Sequence, residues 1–401
     1  MTEEQKQLIK MTVPILRENG VALTSYFYQR MFRDNPELKH VFNMGNQQSG
    51  KQQNALALAV LAYAENIDNP SVLMGAIGHI GQKHTSLDIR PEHYQIVGHH
   101  LINSIKEVLG DGASAELLEA WTIAYGDLAA LMSGKEREIY QQKASLKGGW
   151  TGWRPFIVKN KIKESEEITS FLLYPSDGGD IATHLPGQFL SVRLFLPELN
   201  LLQPRQYSIS CSPNGEYYRI SVKKEAGSIH PNGLISNRLH DHVEIGQIIE
   251  LTSPSGEFVL QTKTDGPCVL ISGGVGQTPL LSMLEELVYR RKSAQKIVWI
   301  HGCRNESVHA FKDRIVELKS LNDQLDPHIF YENNSTADQS ILPGMVDLQS
   351  VREKVLLQGA SYFICGPAGF IKKHYDFLKD AGVQVENIHF EEFGPASLSL
   401  N

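Results

Sequence analysis

Three histidines, His79, His84 and His93, lie close together in the sequence, and either one of them holds a ligand or all three are ordinary surface residues. A neutral imidazole can bind a metal ion or carry a proton, so each is a candidate ligand or base. Counting back from His84 by 4, 7 and 11 residues along a predicted helix over 71–87 reaches only isoleucine and leucine. The helical period therefore predicts that the His84 side chain points toward a buried face. His79 lies on the flank of that helix, and His93 follows a proline near the start of the next.

Two other predicted helices each carry a polar side chain on an apolar stripe. Gln52 leads the stripe of one, and Tyr28 places a hydroxyl on the stripe of the other. A buried polar group needs a partner. A pocket with an imidazole on one side and hydroxyl and amide groups on the other suits an iron porphyrin. A histidine that is only a satisfied core residue remains the alternative.

Two glycine turns in the second half of the chain are candidate phosphate sites. CVLISGGVGQTPLL predicts a buried strand, a turn and a helix, with Thr278 as the cap and Pro279 as the first helical residue. Backbone N–H groups at such a helix start bind pyrophosphate well, although a tight turn without a ligand would read the same way. YFICGPAGF predicts a second such turn, and in a parallel sheet both turns lie at one edge.

The stretch RQYS follows a proline and begins a predicted strand, so Arg205 and Tyr207 share one face. The pair offers a guanidinium for a phosphate beside a ring for a planar group. A solvated arginine beside a half-buried tyrosine fits this stretch equally well.

Three regions must position these residues, so the fold class is multidomain. Residues 1–147 show helical periodicity with breaks before Pro36, Pro70 and Pro91, which indicates an all-α domain. Residues 148–262 contain short strand-like runs separated by turns, which indicates an antiparallel β-barrel. Residues 263–401 alternate apolar strands with helices, which predicts an α/β domain with a parallel sheet.

Composition narrows the class of partner. The net charge is −7 and the basic residues are dispersed, which gives no electrostatic case for nucleic acid or an anionic membrane. The acidic start and the short apolar runs predict a cytoplasmic protein. The 4 cysteines form no CxxC pair, which argues against a zinc cluster and a disulfide framework. We expect a monomer that acts on small molecules.

From about residue 153 onward the chain resembles the ferredoxin–NADP reductase family. RQYS, the stretch 233–237, GGVGQTP, CGP and HFEEFGP occur in the order of that family. The resemblance implies FAD bound in the barrel and NAD(P) bound in the α/β domain. It further implies that the arginine binds the FAD pyrophosphate, that the tyrosine packs on the isoalloxazine and that Ser208 lies near the flavin N5. Residues 236–237 would form a turn over the phosphates, and the C-terminal aromatic would cover the flavin. The implied FAD residues are Gln188, Phe189, Arg205, Gln206, Tyr207, Ser208, Ser236, Asn237, Glu391 and Phe393. The implied NAD(P) residues are Gly273, Gly274, Val275, Gly276, Gln277, Thr278, Pro279, Cys365, Gly366 and Pro367.

The hydride donor stays open between NADH and NADPH. No acid follows the strand KIVWIHG to hold a ribose hydroxyl, and Arg304 there is placed to meet a 2′-phosphate. A loop arginine without that role is the alternative.

The helical region resembles the globin domain of bacterial and yeast flavohaemoglobins through LTSYFYQRMF, NPELKHVFNM, QQNAL and QKHTS, and the fusion to a reductase matches that family end to end. The resemblance implies haem with His84 as the proximal iron ligand, Tyr28 and Gln52 on the distal side, and Tyr94 and Glu136 as partners of the histidine. It further implies that Phe42 packs on the porphyrin, Leu56 restricts access and Lys83 faces the flavin side.

The function that this resemblance implies is nitric oxide dioxygenation. Electrons would pass from NAD(P)H through FAD to haem, and nitric oxide and oxygen would leave as nitrate. Two alternatives stay open: an oxygen-binding or sensing globin with a haem-maintaining reductase, and a general NAD(P)H reductase for flavin, ferric or peroxide acceptors.

Overall fold

The computed structural model describes residues 1–225, 233–260, 266–333 and 338–393. Its internal contacts divide the chain into two compact units. The first contains Met1–Trp153 and Arg193–Arg205, and the second contains Arg154–Val192 and the described chain from Gln206 onward. The predicted domain boundary at 262/263 lies outside the described residues, and the three predicted domain ranges stay predictions.

The first unit is helical. Its α-helices are α1 (Glu3–Met11), α2 (Val13–Asp34), α3 (Met44–Gln48), α4 (Lys51–Glu65), α5 (Met74–Ser86), α6 (Pro91–Leu109) and α7 (Ala115–Ser145). Short 3-10 segments cover Pro36–His40, Pro70–Leu73 and Gly110–Gly112. Pro36, Pro70 and Pro91 each open a helical segment, because proline has no N–H to lose at a first turn. The helix predicted over 71–87 is therefore two segments, a 3-10 turn and then α5.

Local side-chain contacts explain where two of these helices begin. At α1 the Thr2 hydroxyl accepts from the Gln5 N–H at 3.2 Å, and the Gln5 side chain accepts from the Thr2 N–H at 2.9 Å. At α7 the Ser114 hydroxyl accepts from the Leu117 N–H at 3.2 Å. These bonds satisfy backbone donors that the first helical turn leaves without partners.

The core of the first unit lies between α2, α4, α6 and α7, where Phe27, Met31, Trp121 and Ala124 are buried. These side chains repeat at helical spacing, so each helix turns one apolar stripe inward. Gly20 permits close approach of α2 and α4, since a Cβ there would lie 3.3 Å from the Ala57 Cβ. The same stripes bring polar side chains to the interior, where the site below is built.

The second sheet-forming region begins with β1 (Arg154–Lys163), β2 (Ile168–Pro175), β3 (Phe189–Leu196), β4 (Leu201–Ser208), β5 (Tyr218–Lys223) and β6 (Ile248–Leu251). They form a six-stranded sheet in the order β4-β3-β6-β1-β2-β5, and the described pairs β1–β2, β1–β6 and β2–β5 are antiparallel. An antiparallel bridge between Ile209 and Ile220 joins the continuation of β4 to β5. The ends of the strand order thus meet, which is the arrangement of a closed barrel. This confirms the antiparallel architecture.

The remaining strands form a second six-stranded sheet. They are β7 (Cys268–Gly273), β8 (Ile297–Cys303), β9 (Leu325–Tyr331), β10 (Ile341–Pro343), β11 (Ser361–Gly366) and β12 (Ile388–Glu392), all paired in parallel in the order β10-β9-β8-β7-β11-β12. Alternate residues of β7 belong to two different core clusters, Leu270 to one and Ile271 to the other. Both faces of this sheet are buried, which explains its continuous apolar strands.

Helices α8 (Leu234–His242), α9 (Gln277–Glu285), α10 (Lys312–Leu321), α11 (Arg352–Val355) and α12 (Ala368–Asp380) complete the described unit, and a π-helical turn, Glu286–Arg290, extends α9. Two expectations were wrong in detail. Ser236 and Asn237 lie in the first turn of α8 and not in a loop, because the chain turns helical directly after Gly233. Helix α9 begins at Gln277, since a 3-10 turn precedes it, and the Thr278 hydroxyl donates to the Val275 carbonyl instead of capping the helix.

A buried carboxylate ties barrel to α/β elements within the second unit. Glu285 at the end of α9 is 3% exposed and lies 2.9 Å from a guanidinium nitrogen of Arg219 on β5 and 2.9 Å from one of Arg314 on α10. The Ser212 N–H also donates to it at 2.9 Å. Two cations and an N–H therefore compensate one buried charge.

Two properties concern the chain as a whole. All 4 cysteines, Cys211, Cys268, Cys303 and Cys365, are buried and form no disulfide. Among the described residues, no helix is both long and apolar enough to span a membrane.

Candidate functional site

The centre of the candidate site in the first unit is the imidazole of His84 near the end of α5. Its Nδ1 lies 2.8 Å from the Glu136 carboxylate on α7 and 3.0 Å from the Tyr94 hydroxyl on α6. Tyr94 also donates to the same Glu136 oxygen at 2.6 Å. Three helices thus bring together a histidine, a tyrosine and an acid that resemblance alone had grouped.

This arrangement fixes how His84 can act. A carboxylate accepts, so Nδ1 carries the proton and Nε2 is left with its lone pair, as a metal ligand requires. The His84 side chain is 34% exposed, whereas Glu136 is 3% exposed. Burial, followed by the nearby Glu136 charge, holds the pKa of Tyr94 far above its usual range, so that Tyr94 acts as a donor. An imidazole held through Nδ1 by an acid is a donor set that fits haem iron.

A second tyrosine, Tyr125, stabilises the group formed by His84, Tyr94 and Glu136. The Tyr125 hydroxyl on α7 donates to the Tyr94 carbonyl at 2.7 Å. The Tyr125 ring lies directly over Gly98 on α6, where an added Cβ would overlap it. Gly98 therefore permits the ring position from which Tyr125 holds the helical turn that carries Tyr94.

The variant Gly98→Ala is expected to lower the free energy of unfolding of the first unit by about 1–3 kcal/mol, because the new methyl group must displace the Tyr125 ring. Thermal unfolding followed by circular dichroism measures this. Gly126→Ala is the matched control: Gly126 is an exposed residue of α7 with no atom within 4 Å of the position that a methyl group would take, so stability should stay equal or rise by up to about 1 kcal/mol. Equal melting temperatures for Gly98→Ala and the parent protein would contradict the steric argument.

Tyr28 on α2 is a second candidate site residue of the first unit. It is 4% exposed, and its ring centroid lies 5.8 Å from those of Phe32 and Phe42. Burial raises the pKa of its hydroxyl well above the usual value, and the neighbouring amides of Gln52 and Gln47 oppose that rise. The hydroxyl is therefore protonated at neutral pH and available as a donor beside an amide.

The other predicted haem-side residues occupy three different settings. Phe42 and Leu56 are partly buried and pack against the core cluster that contains Tyr28. Lys83 is half-buried beside His84 on α5. The rejected histidines differ from His84: burial lowers the pKa of His79 to about 4, and His93 accepts from the Arg90 N–H at 3.0 Å, where it caps α6.

In the second unit, the two glycine turns meet at one edge of the parallel sheet. Cys365 on β11 pairs with Ser272 on β7, so the turns that follow these strands are neighbours. A Cβ on Gly276 would overlap the Cys365 carbonyl, so only glycine fits there. The buried Gln277 side chain, at the start of α9, keeps an amide oxygen without a hydrogen bond among the described residues. An open edge with helix N–H groups is a setting that fits a dinucleotide.

The predicted flavin residues of the barrel are mostly partly exposed. Gln206, Tyr207 and Ser208 at the end of β4 are all half-buried, and Arg205, assigned to the first unit, donates to the Pro204 carbonyl at 2.6 Å. Side chains with part of their surface exposed can contact a bound ligand, and these three meet that condition. Phe393 is exposed, at 44%.

Other predicted flavin residues contact the neighbouring backbone through hydrogen bonds or packing. The Gln188 side chain accepts from the Leu185 N–H at 2.9 Å and donates to the Gly256 carbonyl at 3.3 Å. Phe189 is buried and packs against Gly256, where an added Cβ would lie 3.0 Å from the Phe189 ring. The Ser236 hydroxyl donates to the Gly233 carbonyl at 3.2 Å.

Asn237 donates to the Glu225 carbonyl at 3.2 Å and keeps a buried Oδ1 without a hydrogen bond among the described residues. Glu391 lies opposite Cys365 in the β11–β12 register, beside the second glycine turn. Arg304, the candidate for a 2′-phosphate, forms an ion pair with Glu167. The structure therefore shows an acidic partner for Arg304, and the choice between NADH and NADPH stays open.

Comparison with known proteins gives matches over both parts of the chain. Residues 25–132 match the Globin family model, and residues 270–375 match the Oxidoreductase NAD-binding domain model. A Flavohemoprotein of Chromobacterium violaceum is 48% identical over 98% of both chains, and one of Bordetella pertussis is 47% identical over 100% of both. The chain belongs to the flavohemoprotein family. It is therefore an oxidoreductase with a globin domain and an NAD-binding domain.

Solved structures agree with this membership. A flavohemoglobin from Malassezia yamatoensis, described with bound FAD and heme, is 25% identical with a TM-score of 0.86 and covers 98% of this chain and 99% of its own. The FAD/NAD binding domain of a nitric oxide dioxygenase from Vibrio cholerae is 33% identical with a TM-score of 0.56, over 60% of this chain and 99% of its own. The multidomain fold, with a helical globin followed by antiparallel and parallel sheets, is confirmed.

Three residues at the site were not found by reasoning from the sequence. Tyr125 reads as a core aromatic of a long helix, and only its contact with Gly98 reveals its position. Gln47 lies in a helix of five residues, too short for a periodic signal. Gln53 contacts Gln47. Because Gln53 is adjacent to Gln52 on a helix, it points away from the apolar stripe that helical periodicity selects.

Proposed function

We propose that this flavohemoprotein is a nitric oxide dioxygenase. Two molecules of nitric oxide and two of dioxygen would yield two nitrate ions, while one NAD(P)H gives up two electrons and a proton. The observation that carries the proposal is the buried Tyr28 hydroxyl with the Gln52 amide, in the same globin unit as an imidazole held by Glu136. A protonated hydroxyl is a group that stabilises negative charge as it develops on oxygen.

The residues present fit haem in the first unit and FAD with NAD(P) in the second. His84 Nε2 would hold the iron, and residues 206–208 at the end of β4 would hold the flavin. Bound haem would supply the iron centre for oxygen and nitric oxide, and bound FAD would split a hydride into single electrons. The Malassezia relative, described with both cofactors, supports this assignment.

On the proximal side, the protein would tune the imidazole. Glu136 accepts the Nδ1–H of His84 and makes the ring a stronger electron donor. Tyr94 donates to the same carboxylate oxygen and keeps it oriented. Glu136 is buried, and the low local dielectric around the acceptor strengthens this hydrogen bond.

On the distal side, Tyr28 and Gln52 would offer hydrogen-bond donors to a diatomic ligand. Phe32 and Phe42 pack beside the Tyr28 ring and hold it in place. A hydrogen-bond donor that is already oriented stabilises negative charge as it develops. Leu56, which packs against the same core cluster, would restrict the space for ligands.

In the second unit, the sheet edge would orient the dinucleotide. Backbone N–H groups at the start of α9 would bind its pyrophosphate. The second glycine turn, which the close approach of Gly276 to Cys365 brings beside the first, would face the nicotinamide. The exposed ring of Phe393 would have to move away before nicotinamide stacks on the flavin.

Replacing the Tyr28 hydroxyl tests the proposed function. In Tyr28→Phe we expect nitrate formation from nitric oxide, oxygen and NADH to fall by about 10- to 100-fold, because one hydrogen bond to a developing charge is lost. Tyr26→Phe is the matched control on the same helix, since Tyr26 is 39% exposed and bonds Glu107 instead. It should keep the parent rate.

The same preparations separate this function from a general reductase. Reduction of an added ferric acceptor by NADH should be equal in the parent, Tyr28→Phe and Tyr26→Phe proteins, since it needs only the flavin. Parent-level nitrate formation in Tyr28→Phe, or in protein stripped of haem, would refute the dioxygenase proposal.

A further inference from the structure

Four glutamines, Gln47, Gln48, Gln52 and Gln53, lie where α3 leads into α4. The proposed function uses only Gln52. Gln47 and Gln53 are half-buried, whereas Gln48 is exposed. The two half-buried side chains bond each other, and this contact determines which way the Gln47 amide faces.

The orientation follows from a main-chain carbonyl. Gln53 Nε2 lies 3.1 Å from the Gln47 carbonyl oxygen and 3.1 Å from an atom of the Gln47 side-chain amide. A carbonyl only accepts, so the Gln53 atom must be nitrogen. The Gln47 side-chain atom beside that donor must then be oxygen. Gln47 Nε2 is therefore turned away from Gln53.

The Gln47 Nε2 group is buried and makes no hydrogen bond within the described part of the chain. Leaving such a donor without a partner is costly. Gln47 and Tyr28 line the same cavity, and the amides of Gln47 and Gln52 both oppose the rise that burial causes in the pKa of Tyr28. An amide nitrogen cannot accept, so the interaction available between the two groups has Gln47 donating to the Tyr28 oxygen.

We propose that Gln47, held by Gln53, is a positioning residue for Tyr28: with a ligand at the haem, its free amide N–H would donate to the Tyr28 oxygen and leave the hydroxyl hydrogen to that ligand. The chain of donors runs from Gln53 to Gln47 to Tyr28. Each hydrogen bond fixes the direction of the next, so the tyrosine is kept as a donor to the pocket. This inference rests on the proposed function, because it requires haem and a distal ligand.

A neighbouring cavity decides which substitution tests the idea. It has a volume of about 450 Å³ and is lined by Tyr28, Gln47 and Gln53 among others. In an alanine or leucine variant, water from this cavity would replace the lost amide donor. Glutamate has nearly the same shape as glutamine, but its carboxylate only accepts. Gln47→Glu would therefore draw the Tyr28 hydroxyl hydrogen toward itself and reverse the chain.

The experiment compares the carbon monoxide complexes of ferrous holoprotein by infrared spectroscopy. Tyr28→Phe, which loses the donor, should shift the C–O stretch to higher frequency, and Gln47→Glu should shift it in the same direction. Gln48→Glu places the same charge one residue away on an exposed position and should keep the parent frequency. The oxygen dissociation rate constant should rise by about 3- to 10-fold in Gln47→Glu, the effect of one lost hydrogen bond.

A second variant, Gln53→Glu, tests the same idea if Gln47→Glu does not fold. Gln53→Glu removes the donor to the Gln47 amide oxygen, so the Gln47 nitrogen should turn toward the introduced carboxylate and its oxygen toward Tyr28. The same spectral shift is expected. Parent frequencies in both glutamate variants, with a shifted Tyr28→Phe, would overturn the positioning role alone. An unshifted Tyr28→Phe would overturn the proposed role of Tyr28, and this inference with it.

Discussion

Replacing His84 with glycine is expected to lower nitrate formation by more than about 100-fold and to abolish the Soret band of stably bound haem. The structure gives this residue a held imidazole, with Nδ1 2.8 Å from the buried Glu136 carboxylate. Loss of groups that merely orient a metal ligand costs about 10- to 100-fold, and loss of the ligand itself should exceed that. Added imidazole should enter the vacated space and restore part of the absorbance and turnover.

His79→Gly is the control for His84→Gly. His79 lies on the same helix and incurs the same cost of about 1 kcal/mol for a glycine, but it is held neutral by burial and faces the flank. It should retain haem and activity. A fully active His84→Gly protein, or loss of haem in His79→Gly alone, would show that the ligand has been misassigned.

Replacing Glu285 with alanine should have the largest effect on stability. The substitution leaves Arg219 and Arg314 without the carboxylate that each now contacts at 2.9 Å, and the Ser212 N–H without its acceptor. Removing one partner of a buried ion pair costs about 3–5 kcal/mol, because the remaining charge is uncompensated. For a unit of this size the melting temperature should fall by roughly 6 to 20 °C.

The measurement for Glu285→Ala is thermal release of flavin fluorescence from the second unit. Glu317→Ala is the control, since Glu317 also pairs with Arg314 but is 51% exposed and should contribute less than about 1 kcal/mol. If the two variants melt together, the buried network does not hold barrel and α/β elements as the contacts indicate.

The sequence predicted the parts of the site that lie on long amphipathic helices. His84, Tyr28 and Gln52 could be selected because each interrupts an apolar stripe of regular period. Glu136 could not, because it lies 52 residues beyond His84 and reads as a solvated helix acid until α5 and α7 pack together. Family resemblance supplied it, and the described contacts are consistent with that assignment.

Errors in the predicted elements also have local causes. The start of α9 was set two residues late, since a 3-10 turn of glycines precedes it and leaves no side-chain cap to read. Ser236 and Asn237 were assigned to a turn, because Gly233 resembles a loop residue until the following stretch is seen to be helical. Edge strand β12 was read only as a motif, HFEEFGP, since its two glutamates hide any apolar alternation.

The burial of all 4 cysteines has a consequence for a protein that would handle nitric oxide. Burial raises the pKa of Cys211 to about 11 and those of Cys268 and Cys303 to about 12, and it raises the pKa of Cys365 as well. At pH 7 the thiolate fraction of Cys211 is on the order of one in ten thousand. Nitrosation and oxidation follow thiolate character and exposure. The fold thus keeps its own thiols buried and protonated, and therefore unreactive, in the presence of the nitric oxide that the protein would consume.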